Sequence, residues 1–175
     1  MFQQEIKVPK QRIAVVIGKE GETKKQLQTR TKTELEIDSD EGIIKIKGDD
    51  SVHLFKVEKI IQAIGRGFNP EIALSLLNEN NCLEIVQIKD FSGKSKKKEK
   101  RIKSRIIGAK GKTRNTLEFL TSTHISIYGK TISIIGEIEP VAIARQAIQD
   151  ILSGAPHGPV YGVIEKRMKD LKRLK

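Results

Sequence analysis

Two short stretches of the sequence hold residue types suited to gripping an anion. Residues 16–33 read VIGKEGETKKQLQTRTKT, and residues 106–123 read IIGAKGKTRNTLEFLTST. Each places two glycines three positions apart (Gly18 and Gly21; Gly108 and Gly111) with a lysine between them, at the start of a helix-like segment. Glycine has no Cβ, so its main chain can come close to a ligand. The N-terminus of the following helix offers unpaired N–H groups and the positive end of a dipole, which together attract phosphate. A single G-x-x-G is equally well an ordinary turn. Its context has to separate the two readings.

The context is repeated. Seven of the 18 positions match without a gap: Ile17/Ile107, Gly18/Gly108, Gly21/Gly111, Thr23/Thr113, Leu27/Leu117, Thr31/Thr121 and Thr33/Thr123. Beyond them ELEID corresponds to HISIY and IIKIKG to TISIIG, and each copy then enters a helical pattern. Internal repetition over some sixty residues does not accompany a chance turn.

The elements that must position the loops follow from periodicity. Copy one reads as a strand over QEIKVP, a helix over QRIAVVIG, the loop, a helix over ETKKQLQTRTK, strands near 34–38 and 43–47, and a helix over about 51–65. Leu35 and Ile37, then Ile44 and Ile46, alternate as on a strand with one buried face. Copy two repeats this order with the strand CLEIVQIKDF, a basic insertion, the helix EKRIKSRIIG, the loop and the helix KTRNTLEFLTST. Strands HISIYG and TISIIG follow, joined through Gly129-Lys130, then a helix over about 139–152 stopped by Gly154. Between the copies, a short helix starts at Pro70 with Asn69 as its cap. GAPHGPVYG reads as a turn-rich linker, and VIEKRMKDLKRLK as a basic amphipathic helix that packs on copy one, touches RNA or meets a partner. The expected organisation is a first domain at 1–67, a linker helix at 68–81, a second domain at 82–154, and a C-terminal turn and basic helix at 155–175.

Composition narrows the partners. The chain has 175 residues and a formal net charge of +11. Residues 1–67 hold 13 Lys/Arg against 11 Asp/Glu, whereas residues 89–114 hold 12 against Asp90 and Glu99 alone. Concentrated positive charge favours nucleic acid or an anionic surface. Aromatics make up only 4% and tryptophan is absent, which argues against aromatic base-stacking platforms and interfacial membrane anchors. Cys82 is the one cysteine, so no internal disulfide forms, and a reducing, cytoplasmic setting is expected. No secretory signal is visible in MFQQEIKVPK. Catalysis is not expected: His53, His124 and His157 have no metal-ligand spacing, no paired carboxylates stand out, and IIGAKGKT lacks the first glycine of a P-loop. Neither a metal nor a cofactor is expected.

The order strand, helix, G-x-x-G, helix, strand, strand, helix resembles a KH domain of the first topological type, present twice. The fold class expected is therefore α+β: two β-α-α-β-β-α units, each a three-stranded antiparallel sheet covered on one face by three helices, plus a C-terminal helix. KH domains clamp about four nucleotides through this loop. In copy two, the expected RNA-binding set is Gly108, Ala109, Lys110 and Gly111, with Lys112 and Arg114 after them and Lys103 and Arg105 before. Ile106, Ile107, Leu117, Ile125 and Ile127 would floor the groove. In copy one it is Gly18, Lys19, Gly21, Arg12, Lys24 and Lys25. Glu20, Glu22 and the acidic DSDEG turn make that copy the weaker clamp, because like charge beside phosphate costs binding.

Three further stretches are more specific: GFNPEIALSLL followed by LEIVQIKD, SRIIGAKGKTRNTLE, and ILSGAPHGPVYG. Together they resemble the ribosome-assembly KH proteins known as partner of Nob, in their compact archaeal form. That resemblance implies a non-catalytic factor bound to the 3′-terminal region of small-subunit rRNA, working with the Nob endonuclease and other assembly or translation factors. Eukaryotic members tend to lack the glycine loop in their first unit, whereas this chain keeps Gly18 and Gly21. Two rival expectations are a protein adaptor that recruits a nuclease or translation factor, and a general RNA tether of a degradation or transcription complex.

Overall fold

A computed structural model describes residues 1–175, which divide into two compact units, Met1–Asn78 and Glu79–Lys175. The first is ordered β1 (Phe2–Lys7), α1 (Lys10–Ile17), α2 (Glu22–Thr31), β2 (Glu34–Asp38), β3 (Ile43–Gly48), α3 (Ser51–Gly65) and α4 (Pro70–Leu74). Its strands lie in the order β1-β3-β2, both pairs antiparallel. Alternation sets the faces, as a period of two requires. Leu35, Ile44 and Ile46 are buried under the helices with Val16, Leu27, Val57 and Ile60. Lys45 stands between Glu5 and Glu36 in register, and Lys47 pairs with Glu36, so the outer face is a ladder of opposite charges. Asp50 caps α3 by accepting from Val52 N–H at 2.8 Å, and Asn69 caps α4 by accepting from Glu71 N–H at 3.0 Å. The short helix expected as a linker lies within this first unit.

The second unit repeats the plan: β4 (Asn81–Gln87), α5 (Lys89–Ser92), α6 (Lys96–Ile107), α7 (Lys112–Thr121), β5 (His124–Tyr128), β6 (Thr131–Glu137), α8 (Ile138–Leu152) and α9 (His157–Leu174), with strand order β4-β6-β5. Each unit is thus a type I KH fold. Two sequence expectations need correction. The helix before the second loop starts three residues earlier than Glu99, inside the basic insertion. Ser95 Oγ accepts from Lys98 N–H at 3.1 Å, which caps α6 and makes Lys96–Lys98 its first turn. GAPHGPVYG is not a linker. Pro156 precedes an 18-residue helix that runs through Gly158 and Gly162, because Val160, Ile164 and Met168 bury one face against the core of this same unit. Tertiary burial outweighs the roughly 1 kcal/mol per residue by which glycine disfavours helix.

The repeated threonines have a packing role. Thr121 Oγ1 donates to the Leu117 carbonyl at 2.7 Å and sits 2.7 Å from Thr123 Oγ1; both side chains are buried. Thr31 does the same with Leu27 (2.6 Å) and Thr33 (2.8 Å). The paired hydroxyls satisfy each other where the chain leaves one helix for the next strand. Between them, Ser122 (φ 53°) and Lys32 (φ 52°) are left-handed, at the C-termini of α7 and α2.

Two outcomes follow for denaturant unfolding. Ser122→Gly and Lys32→Gly should each stabilise the chain by up to about 1 kcal/mol, since glycine adopts that conformation freely. Thr121→Val should cost about 1–2 kcal/mol by stranding the Thr123 hydroxyl, Thr123→Val should cost less because Thr121 keeps its bond to the Leu117 carbonyl, and the double variant should cost clearly less than their sum. Additive costs would show that the two hydroxyls are not coupled.

Candidate nucleic-acid interface

The loop of the second unit begins where α6 stops. Gly108 N–H donates to the Ser104 carbonyl at 2.8 Å, and Gly111 N–H then donates back to the Gly108 carbonyl at 3.2 Å. Gly108 holds φ 74°, ψ 173°, a region essentially restricted to glycine. A Cβ there would also collide with Thr113, lying 2.7 Å from its backbone nitrogen. Lys110 (φ 54°) and Gly111 (φ 75°) are both left-handed, and a Cβ at Gly111 would meet nothing closer than 3.9 Å. The turn is therefore tight because the buried Thr113 side chain is wedged beneath it.

This geometry leaves a helix N-terminus bare. α7 starts at Lys112 with no side-chain cap and no acidic residue in its first turn. Ala109 and Lys110 are exposed, as are Lys112 and Arg114; Gly108 and Gly111 are half-buried. Arg114 is only loosely opposed, its Nε lying 3.9 Å from Glu118 Oε2, and the other oxygen of that carboxylate accepts from Ile125 N–H at 2.8 Å. A positive dipole end without a capping side chain and three cations thus surround main chain with almost no side-chain bulk over it.

Other expected members are placed differently. Arg105 is not part of this surface. Its guanidinium donates to the carbonyls of Ile151 (2.7 Å) and Ala155 (2.6 Å), and its own carbonyl lies 2.9 Å from His157 Nε2. Arg12 behaves alike in the first unit, donating to the carbonyls of Ile64 (2.8 Å) and Phe68 (2.9 Å). Both arginines bond carbonyls at and just beyond a helix C-terminus, where positive charge is favourable. Lys103 Nζ donates to the Gly129 carbonyl at 2.7 Å, so it stands at the β5–β6 turn and not at the glycine loop. The floor is also smaller than expected. Ile106, Leu117 and Ile125 belong to the buried core, leaving Ile107 and Ile127 half-buried.

The first unit has the same loop with a different charge. Gly18 (φ 77°, ψ 172°) closes onto Thr23, whose backbone nitrogen lies 2.7 Å from a Cβ built there, and Gly21 is left-handed. Lys19 is exposed beside Glu20, the left-handed residue (φ 54°), and Glu22 occupies the first turn of α2. Lys25 shares an outer surface with Glu22. Lys24 lies near Glu36, whose carboxyl is held below its ordinary value first by the hydrogen bond and charge of Lys47 and, to a lesser degree, by Lys24. Asp38 Oδ1 accepts from the N–H groups of Asp40 and Glu41 at 3.1 and 3.0 Å, fixing three acidic residues at the hairpin tip.

One surface residue was not signalled by the loop motif. Phe119 is 82% exposed on α7, seven residues after Lys112 and four after Asn115, so the three share a helical face. An aromatic at a polar position of the helical pattern is the signal that would have found it. No group of three His, Cys, Asp or Glu side chains is arranged to hold a metal ion. The Cys82 thiol is pushed above its ordinary value, mainly by burial and then by Glu84, so it stays protonated at neutral pH. No helix is long and apolar enough to cross a membrane.

Comparison with known proteins agrees with this geometry. Residues 82–169 match the eukaryotic-type KH domain (type I) family, and residues 3–63 match the KH domain family. A KH domain-containing protein of Methanocaldococcus jannaschii is 41% identical over 174 residues, covering 97% of this chain and 76% of its own. The pre-rRNA-processing protein PNO1 of Coccidioides immitis is 33% identical over 125 residues; the match takes in 69% of this chain but only 49% of that longer protein. Among solved structures, a chain of the a/eIF2alpha–aDim2p–rRNA complex from Pyrococcus horikoshii superposes with a TM-score of 0.88 at 43% identity, covering 97% of this chain and 95% of that one. The chain belongs to the tandem-KH ribosome-assembly family of the PNO1 and Dim2 proteins.

Proposed function

We propose that this protein is a non-catalytic factor of small-subunit assembly, in the cytoplasm, that grips an unpaired segment near the 3′ end of the small-subunit rRNA. The second KH unit supplies most of the grip. The observation that carries this reading is the bare start of α7: glycine main chain at 108–111, an uncapped helix N-terminus, and Lys110, Lys112 and Arg114 around it. Phosphates approach the Gly108–Gly111 main chain, while Ile107 and Ile127 offer apolar contact to bases. The related complex that includes rRNA, and the pre-rRNA-processing role in the name of the fungal relative, support RNA as the ligand. The 3′ end as the target, and the Nob-type endonuclease as co-worker, extend this reading through the family. The first unit, with Glu20 and Glu22 at its loop, contributes less RNA affinity.

A second reading is compatible with the first. The related complex also contains the α subunit of an archaeal initiation factor, which favours a docking role for a translation factor alongside RNA binding.

Replacing Ala109 and Lys110 together with Asp should abolish binding of single-stranded rRNA fragments in fluorescence anisotropy and spare binding of a protein partner. Retained RNA affinity would mean that the loop is not the clamp. Gly108→Ala should destabilise the chain by about 1–3 kcal/mol and lose RNA binding, because both the backbone and Thr113 oppose a Cβ there. Gly111→Ala, with open space around it, should cost only about 1 kcal/mol. Crosslinking in cells should concentrate reads at the small-subunit rRNA 3′ end; a diffuse spread over messenger RNA would favour a general tether instead.

A further inference from the structure

The two units differ most in the helix that leads into the loop. Phe2 opposes Gly48 and Cys82 opposes Gly136, an offset of 80, whereas Gly18 and Gly108 are 90 apart; ten residues are therefore inserted between strand and loop in the second unit. The insertion forms α5 and lengthens the loop-leading helix from 8 residues in α1 to 12 in α6. Its added turn is cationic: Lys96, Lys97 and Lys98 open the helix, where the dipole disfavours positive charge, and Lys100 and Arg101 follow with only Glu99 among them.

Spacing puts these cations in a line. Lys96, Lys100 and Lys103 recur at i, i+4 and i+7, and the next position on that face is Ile107, immediately before Gly108. Lys97 and Ser104 flank the line and are exposed, as are Lys96 and Lys100. No carboxylate pairs with Lys96, Lys97 or Lys100. Like charges at i, i+4 repel, and within the row only Lys103 is anchored inside the unit, to the Gly129 carbonyl. From Lys96 to Ile107 the row runs about 16 Å at 1.5 Å per residue.

We propose that the exposed row of α6 is a track for the RNA backbone, carrying the strand as it leaves the Gly108–Gly111 clamp and adding two or three phosphate contacts outside the KH groove. The row is continuous with the clamp through Ile107, its charge is complementary only to a polyanion, and the first unit, which lacks the insertion, lacks the track. The proposal rests on the loop being the RNA clamp.

The test compares single-stranded RNAs of about five and about fifteen nucleotides from the small-subunit rRNA 3′ end, the shorter just filling a KH groove. For the wild-type protein, the log–log slope of affinity against salt should be steeper by roughly 1.4 to 2.1 for the longer RNA, about 0.7 for each added phosphate. Lys96→Gln, Lys97→Gln and Lys100→Gln together should erase that difference while leaving affinity for the short RNA unchanged, which also shows that the loop is intact. Arginine at the same three positions should restore it. An unchanged slope in the glutamine variant, or a loss as large for the short RNA as for the long one, would overturn the track. Failure of the short RNA to bind the wild-type protein would instead overturn the clamp.

Discussion

The structure depends on one close contact: the main chain at the first glycine of each loop pressed onto the threonine five residues later. At Gly108 both the backbone conformation and the Thr113 nitrogen exclude any side chain. That contact turns the chain out of one helix and into the next within four residues, so α7 begins without a capping side chain. No side chain covers the positive end of its dipole, and that bare end is what makes the site attractive to phosphate. The cost in local strain is borne by the surrounding core, in which Leu117 and Ile106 are fully buried on the two flanking helices.

Much of this was legible as repetition. The seven positions shared by the two loops now have distinct physical duties. Two glycines make the turn, Thr113 and Thr23 underlie it, and Leu117 and Leu27 anchor the helix. Two threonines in each copy seal the next junction with paired hydroxyls, and Ile107 and Ile17 close the preceding helix. Strand alternation and the caps at Asp50 and Asn69 were equally readable, because those signals are local.

What local signals could not supply was the destination of long side chains. Arg12 and Arg105 sit on the helices that lead into the two loops, yet each bonds carbonyls some fifty residues further along the sequence. Ile125, expected on the groove floor, is buried in the core, its N–H donating to Glu118. The glycines and prolines of residues 154–162 argued for a linker, and only the burial of Val160 and Ile164 overrides them. Charge, too, had to be placed before it could be weighed. The two loops share a backbone, but Glu20 and Glu22 occupy in one the places that Lys110 and Lys112 hold in the other.

Arg105 bears on where the second unit can be cut. By bridging the Ile151 carbonyl in the last turn of α8 and that of Ala155, it joins the loop-bearing helix to the root of α9. A fragment trimmed to a conventional KH length, ending near Gly154, would forfeit that bridge and uncover the hydrophobic surface that Val160, Ile164 and Met168 shield. The smallest autonomous piece of this half of the chain therefore extends to its final helix.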